Sequence, residues 1–202
     1  MVELHKVVLN FLSVNCYILN SKGSDKALIV DPGSSQNKIF GCIDALGLKP
    51  EGILLTHAHV DHISAVPEVA KQYGIPVWIH KDDLELYSSP DNALKPWMEA
   101  AKGLPQPCAE CPTAGMDFRI IHTPGHSRGS CCFYFPEDKF LISGDTLFHG
   151  TYGRTDFPGG SEVEIMRSIR ERLLTLPEDV VVYPGHDSAT TIADERRNPL
   201  FK

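Results

Sequence analysis

Several things are scarce in this sequence, and each absence excludes something. No apolar run approaches the ~20 residues that span a bilayer; Gly52 to Leu55 and Val180 to Tyr183 are among the longest. The N-terminal Met1-Val2-Glu3-Leu4-His5-Lys6 lacks the apolar stretch of a signal peptide. A cytoplasmic protein without a membrane partner is expected. Basic runs are missing too, and 26 acidic against 19 basic side chains give a net charge of −7, so nucleic acid is not an expected partner. Cysteine is sparse at six in 202 residues, which excludes a disulfide-built scaffold. Cys16, Cys42, Cys131 and Cys132 sit among apolar residues and read as small packed hydrophobes. Cys108 and Cys111 form a CxxC with no second Cys or His pair to complete a structural zinc site, and read as two reduced thiols in a surface loop.

What remains is an ordinary globular composition, 42% apolar and 22% charged. The length suits one domain spanning residues 1–202. Short strands are expected over Lys6 to Phe11, Cys16 to Leu19, Ala27 to Val30 and Ile53 to Thr56. Ile39, Phe40, Ile43 and Leu46 recur at helical spacing, with Gly47 and Pro50 as stops. A helix is expected over His62 to Tyr73, and a strand over Val77 to His80. Lys81 to Met116 is broken by five prolines and reads as short helices and a long loop of the kind that flanks a site. Further strands follow over Arg119 to His122, Ser130 to Phe135, Phe140 to Ser143 and Val180 to Tyr183. A Gly-rich loop spans Gly144 to Gly160. Ser161 and Glu164 have capping-box spacing, ahead of an apolar stripe of Val163, Met166, Ile169 and Leu173. A short helix is expected after His186. The early strands lie too close together for βαβ crossovers, which favours packed mixed sheets of an α/β (α+β) fold flanked by helices.

The chemistry concentrates in Thr56-His57-Ala58-His59-Val60-Asp61-His62. Three histidines and an aspartate in six residues follow an apolar strand. His57 and His59 can point at one cation, and Asp61 and His62, past the turn, at a second. Buried imidazoles and carboxylates need partners, so so dense a group is hard to explain structurally. His126 in Pro124-Gly125-His126, Asp145 in Gly144-Asp145-Thr146 and His186 in Pro184-Gly185-His186 add ligand chemistry at strand ends or glycine turns. Five histidines and two aspartates suffice for two divalent cations. A nitrogen and oxygen set without sulfur admits zinc, iron or manganese, and zinc is taken as the first expectation. His5, His80, His122 and His149 lie outside these turns and are not expected to be ligands.

The HxHxDH run followed by His126, Asp145 and His186 resembles the metallo-β-lactamase superfamily over most of the chain, from Asp31 to His186. The resemblance implies an αββα sandwich with metals at one edge of two sheets. It implies His57, His59 and His126 on one ion, Asp61, His62 and His186 on the other, and Asp145 between them. Asp31 of Asp31-Pro32-Gly33 matches an aspartate that supports the ligands. Asp145 and His62 together set the chain apart from the di-zinc lactamases that carry Cys at the first position and lack His at the second. Gly144-Asp145-Thr146-Leu147-Phe148, the Gly153 to Gly160 string and the Glu195 to Pro199 ending resemble a short branch of glyoxalase II, the hydroxyacylglutathione hydrolases. The chain stops before the helical domain of full-length members, so an open site that tolerates other acyl thioesters is expected.

The activity so implied is hydrolysis of S-lactoylglutathione or a related acyl-glutathione thioester. Two cations at such a site bring the pKa of water from about 15.7 toward about 7, which supplies a hydroxide nucleophile at neutral pH. Asp61 and Asp145 are the catalytic carboxylates in this reading. Arg154 is a candidate to hold a glutathione carboxylate in its fork, or else to pair with Asp156; Tyr152 is a second substrate-binding candidate. The partner is a small molecule, and a homo-oligomer is compatible with the sequence. Two other readings stand beside this one. A mononuclear iron persulfide dioxygenase of the same superfamily would use His57, His126 and Asp145. A binding module would keep metal for stability alone.

Overall fold

The computed structural model describes residues 1–10 and 12–202. Among the described residues, ten strands form two five-stranded sheets. The first holds β1 (Val2–Val8), β2 (Asn15–Ser21), β3 (Lys26–Val30), β4 (Lys49–Leu54) and β5 (Val77–Trp78) in that spatial order. Its first three strands are antiparallel neighbours, while β3, β4 and β5 run parallel. The second has the order β10 (Thr190–Thr191), β9 (Val181–Pro184), β8 (Phe140–Gly144), β7 (Cys131–Phe135) and β6 (Arg119–His122). Only β8 and β9 are parallel there. Both sheets are therefore mixed, as expected.

Alternation along the strands builds the layers. On β2 and β3, Tyr17, Leu19, Leu28 and Val30 face Phe133, Phe135, Phe140 and Ile142 of the second sheet. Their neighbours Ile18 and Ile29 face outward, onto Ile39 and Ile43 of α1 (Gln36–Leu46) and Val66 and Val69 of α3 (Val66–Tyr73). On the far side, Cys132, Tyr134 and Leu141 pack on Ile165 of α5 (Glu162–Ser168) and on Ile169 and Leu173 beyond it. The result is the αββα sandwich. No helix among the described residues is long and apolar enough to cross a membrane.

Several boundaries move. The first strand spans Val2–Val8, and Phe11 lies outside the described residues. Gly47 alone ends α1, in a left-handed conformation (φ 65°), because Pro50 already belongs to β4. The helix expected from His62 is two: α2 (Val60–Ile63), then α3 with Pro67 in its first turn. Proline lacks the N–H an unbroken helix needs but is welcome at a helix start. Val163 does not join the stripe on α5. It is 70% exposed, and Ile165 is buried in its stead. Cys108 and Cys111 are half-buried, packed beside the inter-sheet core instead of lying free on the surface.

The topology brings one edge of both sheets together. The loops after parallel strands β3, β4, β8 and β9 leave from that edge, as does the turn between β6 and β7. Cys131 N–H donates to Thr56 O (2.9 Å), and Asn15 N–H to Gly185 O (2.7 Å). Asp83 clasps the same edge. This buried carboxylate accepts from Ala58 N–H (2.9 Å), Gly129 N–H (2.6 Å) and Ser127 Oγ (2.7 Å). It thereby ties the His57–His59 loop to the His126 turn. Asp83→Ala leaves the Ala58 N–H unpaired in the interior and should cost about 2–4 kcal/mol. Urea denaturation checks this, and a loss below about 1 kcal/mol would show that the clasp is dispensable.

Candidate metal centre

Seven side chains converge at that edge. His57 and His59 stand in the loop after β4, Asp61 and His62 on α2, His126 between β6 and β7, Asp145 after β8, and His186 after β9. Glycine makes room for two of these approaches. A Cβ on Gly185 would lie 2.3 Å from Asp145 Oδ1, and one on Gly33 would lie 1.6 Å from the Asp61 carbonyl oxygen. Neither contact is physically tolerable.

Nitrogen atoms of His57, His59 and His126 lie within 4.8 Å of one another, as do ligand atoms of Asp61, His62 and His186. His126 Nε2 is 2.8 Å from His59 Nδ1 and 3.2 Å from His57 Nε2. His62 Nε2 is 3.3 Å from His186 Nε2. Asp145 lies between the two groups. Its Oδ1 is 3.3 Å from His62 Nε2, and its Oδ2 is 3.5 Å from His186 Nε2 and 3.6 Å from His126 Nε2.

The outer nitrogens decide what the inner ones present. His126 Nδ1 donates to Arg154 O (2.6 Å), because a carbonyl can only accept. His186 Nδ1 donates to Leu12 O (3.0 Å) for the same reason. His62 Nδ1 donates to Asp31 Oδ2 (3.0 Å). Thr56 Oγ1 commits its proton to Asp31 Oδ2 (2.6 Å), so His57 Nδ1 (3.0 Å) must donate to Thr56. In their neutral forms all four rings therefore turn a lone pair inward. His59 Nε2, Asp61 Oδ1 and Asp145 Oδ1 are buried and make no hydrogen bond. Converging lone pairs and orphaned carboxylate oxygens are what a cation satisfies.

The electrostatics agree. Burial, helped by neighbouring rings, holds His57 well below the usual imidazole range, and burial holds His59 down to about 3. Both are neutral and fit to ligate. Burial also opposes charge on His186, but the Asp145 and Asp61 carboxylates outweigh it and lift that ring to about 10. Asp145 stays well below the carboxylate range because His62 and His186 overcome its own burial. In the absence of a cation, protons supply the positive charge that this cluster calls for.

Asp31 holds the frame. Its backbone is left-handed (φ 51°), and its carboxylate accepts from Thr56 N–H (2.8 Å), Thr56 Oγ1 and His62 Nδ1. Arg154 contributes its carbonyl to His126, while its guanidinium forms two bonds to Asp156 (2.9 and 2.7 Å) and lies 4.3 Å over the Phe157 ring. Of the two readings of Arg154, the ion pair is the one present. Tyr152 is not brought to the site: its hydroxyl donates to Glu162 (3.0 Å), and its ring packs near Phe201 in the outer core. His5 and His149 also lie elsewhere, on Asn20 and Ser188. His80, Asp82 and His122 do gather in a second cluster, with the two rings stacked at 4.1 Å. Its facing nitrogens are already engaged, His122 Nε2 by Arg128 O (2.8 Å) and His80 Nδ1 by Asp82 N–H (3.3 Å).

Residues 9–186 match the sequence model of the metallo-beta-lactamase superfamily. The chain belongs to that superfamily. It is 35% identical to the hydroxyacylglutathione hydrolase GloC of Haemophilus influenzae, with 87% of this chain and 86% of the relative aligned. Two solved structures share the whole architecture. The BLEG-1 B3 metallo-beta-lactamase is 33% identical, with a TM-score of 0.88 over 99% of this chain and 100% of its own. TTHA1623, solved in a di-iron-bound form, is 38% identical, with a TM-score of 0.87 over 97% of this chain and 99% of its own. As a member of a superfamily of metallo-hydrolases, the chain carries the His and Asp clusters that suit such chemistry.

Residues the motifs did not single out complete the site. Thr56 and Asp83 position ligand loops. Phe157 lies 5.0 Å from the His59 ring and Phe148 5.9 Å from the His186 ring. Thr56 adjoins the HxHxDH run and was open to notice, whereas Asp83 carries no local signal at all.

A pH dependence follows for metal-free protein. His57 and His59 are neutral when folded but titrate near 6.5 when unfolded, so the unfolded state binds more protons below that pH. Stability therefore falls as pH drops from 6.5 toward 4.5, by up to about 1.4 kcal/mol per pH unit for each ring. His62 and His186, lifted above 6.5, oppose this only near pH 6.5, where the unfolded rings are half protonated, and contribute no slope below about pH 5.5. Urea midpoints of chelator-treated protein at the two pH values test this, and an equal or higher midpoint at 4.5 contradicts it.

Proposed function

We propose that this chain is a metal-dependent hydrolase of thioesters, with S-lactoylglutathione or a related acyl-glutathione thioester as substrate. The observation that carries the metal is the inward convergence of ring lone pairs, beside two buried carboxylate oxygens, Asp61 Oδ1 and Asp145 Oδ1, that accept no hydrogen bond. The likeness to GloC supports the substrate class. His57, His59 and His126 would hold one divalent cation, Asp61, His62 and His186 a second, and Asp145 both. Zinc suits the nitrogen and oxygen donors, and the di-iron form of TTHA1623 supports iron as the alternative. Such ions supply Lewis acidity toward a carbonyl and toward water. The free cysteines fit a reducing compartment such as the cytoplasm.

The chain's own residues do the rest. Asp31, Thr56, Leu12 O and Arg154 O hold the ring orientations before any substrate arrives. Preorganised polar groups of this kind need no rearrangement during the reaction. Asp61 and Asp145 keep negative charge at the floor of the cavity, where a cation and a water proton are needed. Phe148 and Phe157 flank the rings and limit access of bulk water.

Metal analysis alongside turnover tests this reading. Protein loaded with zinc or iron should hold two ions per chain and release free thiol from S-lactoylglutathione faster than it opens a β-lactam. Asp145→Ala should lose metal and about a thousandfold or more in rate, the scale of several kcal/mol. Faster lactam opening, or an active Asp145→Ala protein, would overturn it. Arg154→Ala is expected to lower kcat/KM for S-lactoylglutathione by less than about tenfold, or 1.4 kcal/mol, because Asp156 already fills its fork. A hundredfold loss would show that the guanidinium leaves Asp156 for a glutathione carboxylate.

A further inference from the structure

The cavity above the seven residues has a volume of about 340 Å³, within the usual size of a small-molecule site. Its floor is polar, but its walls are Leu12, Leu94, Trp97, Phe148 and Phe157. Arg154 is the cationic side chain among the described lining residues outside the histidines, and Asp156 occupies its fork. Above the floor, then, a substrate meets aromatic and aliphatic carbon.

Trp97 stands out among these walls. It is 64% exposed, a large apolar surface left in water at the mouth of the cavity. Its backbone is held in place. Trp97 N–H donates to Leu94 O (2.8 Å), and Leu94 and Met98 exchange backbone bonds of 3.0 and 2.9 Å. Leu94 is buried and anchors the turn. Below it, Asn92 donates to Tyr87 O (3.2 Å) and accepts from Ala101 N–H (3.1 Å), closing the base of the segment. With its backbone fixed this way, Trp97 has only its side chain left to order when it covers a ligand.

We propose that these walls form an apolar subsite for the group carried on the substrate's sulfur, with Trp97 as the specificity-determining residue. The preferred substrates are thioesters with an aryl or medium-chain acyl group, ahead of the small hydroxylated lactoyl group. This rests on the thioesterase reading above and narrows it. Covering one face of Trp97 with an apolar acyl group is worth about tenfold in selectivity. A lactoyl group offers less carbon to cover that face. Its hydroxyl would also meet walls that offer it no charged group outside the Arg154–Asp156 pair.

Two readouts on the metal-loaded protein separate the subsite from the reaction. The first is binding of the thioethers S-benzylglutathione and S-methylglutathione, which cannot be hydrolysed. The benzyl compound should bind about tenfold tighter, and Trp97→Ala should erase the difference, while Trp97→Phe should keep most of it. The second is the ratio of kcat/KM for S-phenylacetylglutathione to that for S-lactoylglutathione, which should exceed one and fall about tenfold in Trp97→Ala. Equal binding of the two thioethers, or a ratio unmoved by Trp97→Ala, overturns the proposal. If the thioethers bind as expected but neither thioester is hydrolysed, the apolar subsite stands and the thioesterase reading falls.

Discussion

The structure depends on how its imidazoles are held from behind. Four of the five rings at the centre donate one N–H outward, to Thr56 Oγ1, Asp31 Oδ2, Arg154 O and Leu12 O. That leaves the opposite nitrogen facing in, 3.2–3.3 Å from another of its kind. Neutral rings at such a distance repel unless a cation or a proton sits between them. The fold must therefore impose the arrangement, and the clasps at this edge do so. Asp31 joins the ends of β3 and β4 to α2. Asp83 joins the β4 loop to the turn before β7. The Cys131–Thr56 and Asn15–Gly185 bonds lock one sheet to the other.

This explains the odd mixture of chemistry at the sheet edge. A buried Asp31 with a left-handed backbone and a Gly33 pressed on the Asp61 carbonyl are costly features. The continuous apolar layers on both faces of both sheets supply the stability that tolerates them. The walls of the cavity come partly from this frame, through Leu12, and partly from other segments. Phe148 and Phe157 sit on the Gly-rich loop, and Leu94 and Trp97 on the segment between β5 and β6. Of the walls, only the Leu94 and Trp97 portion is separate from the loops that orient the rings.

Much of this was legible in the sequence, for identifiable reasons. The HxHxDH run and the three later His and Asp turns are dense and chemically specific, so the seven side chains that converge could be named before any fold was known. The strands with strong apolar character also fell close to their places. What was illegible depends on contacts distant in sequence. The Val163 stripe failed because helical spacing cannot say which of Val163 and Ile165 faces a sheet. Asp83 looks like any acid in a polar segment until Ala58 and Gly129 are brought to it. Arg154 has the chemistry of an anion anchor, and only the folded loop places Asp156 in its fork. Trp97, among prolines and charges, gave no sign of lining the cavity.

If the outer hydrogen bonds preset these seven side chains as proposed, two adjoining cation sites result. Anomalous diffraction from crystals of the metal-loaded protein tests it most directly. Two strong peaks per chain are expected, one among His57, His59 and His126 and one among Asp61, His62 and His186, with Asp145 touching both. A single peak at this edge, or stronger occupancy among His80, Asp82 and His122, would contradict it.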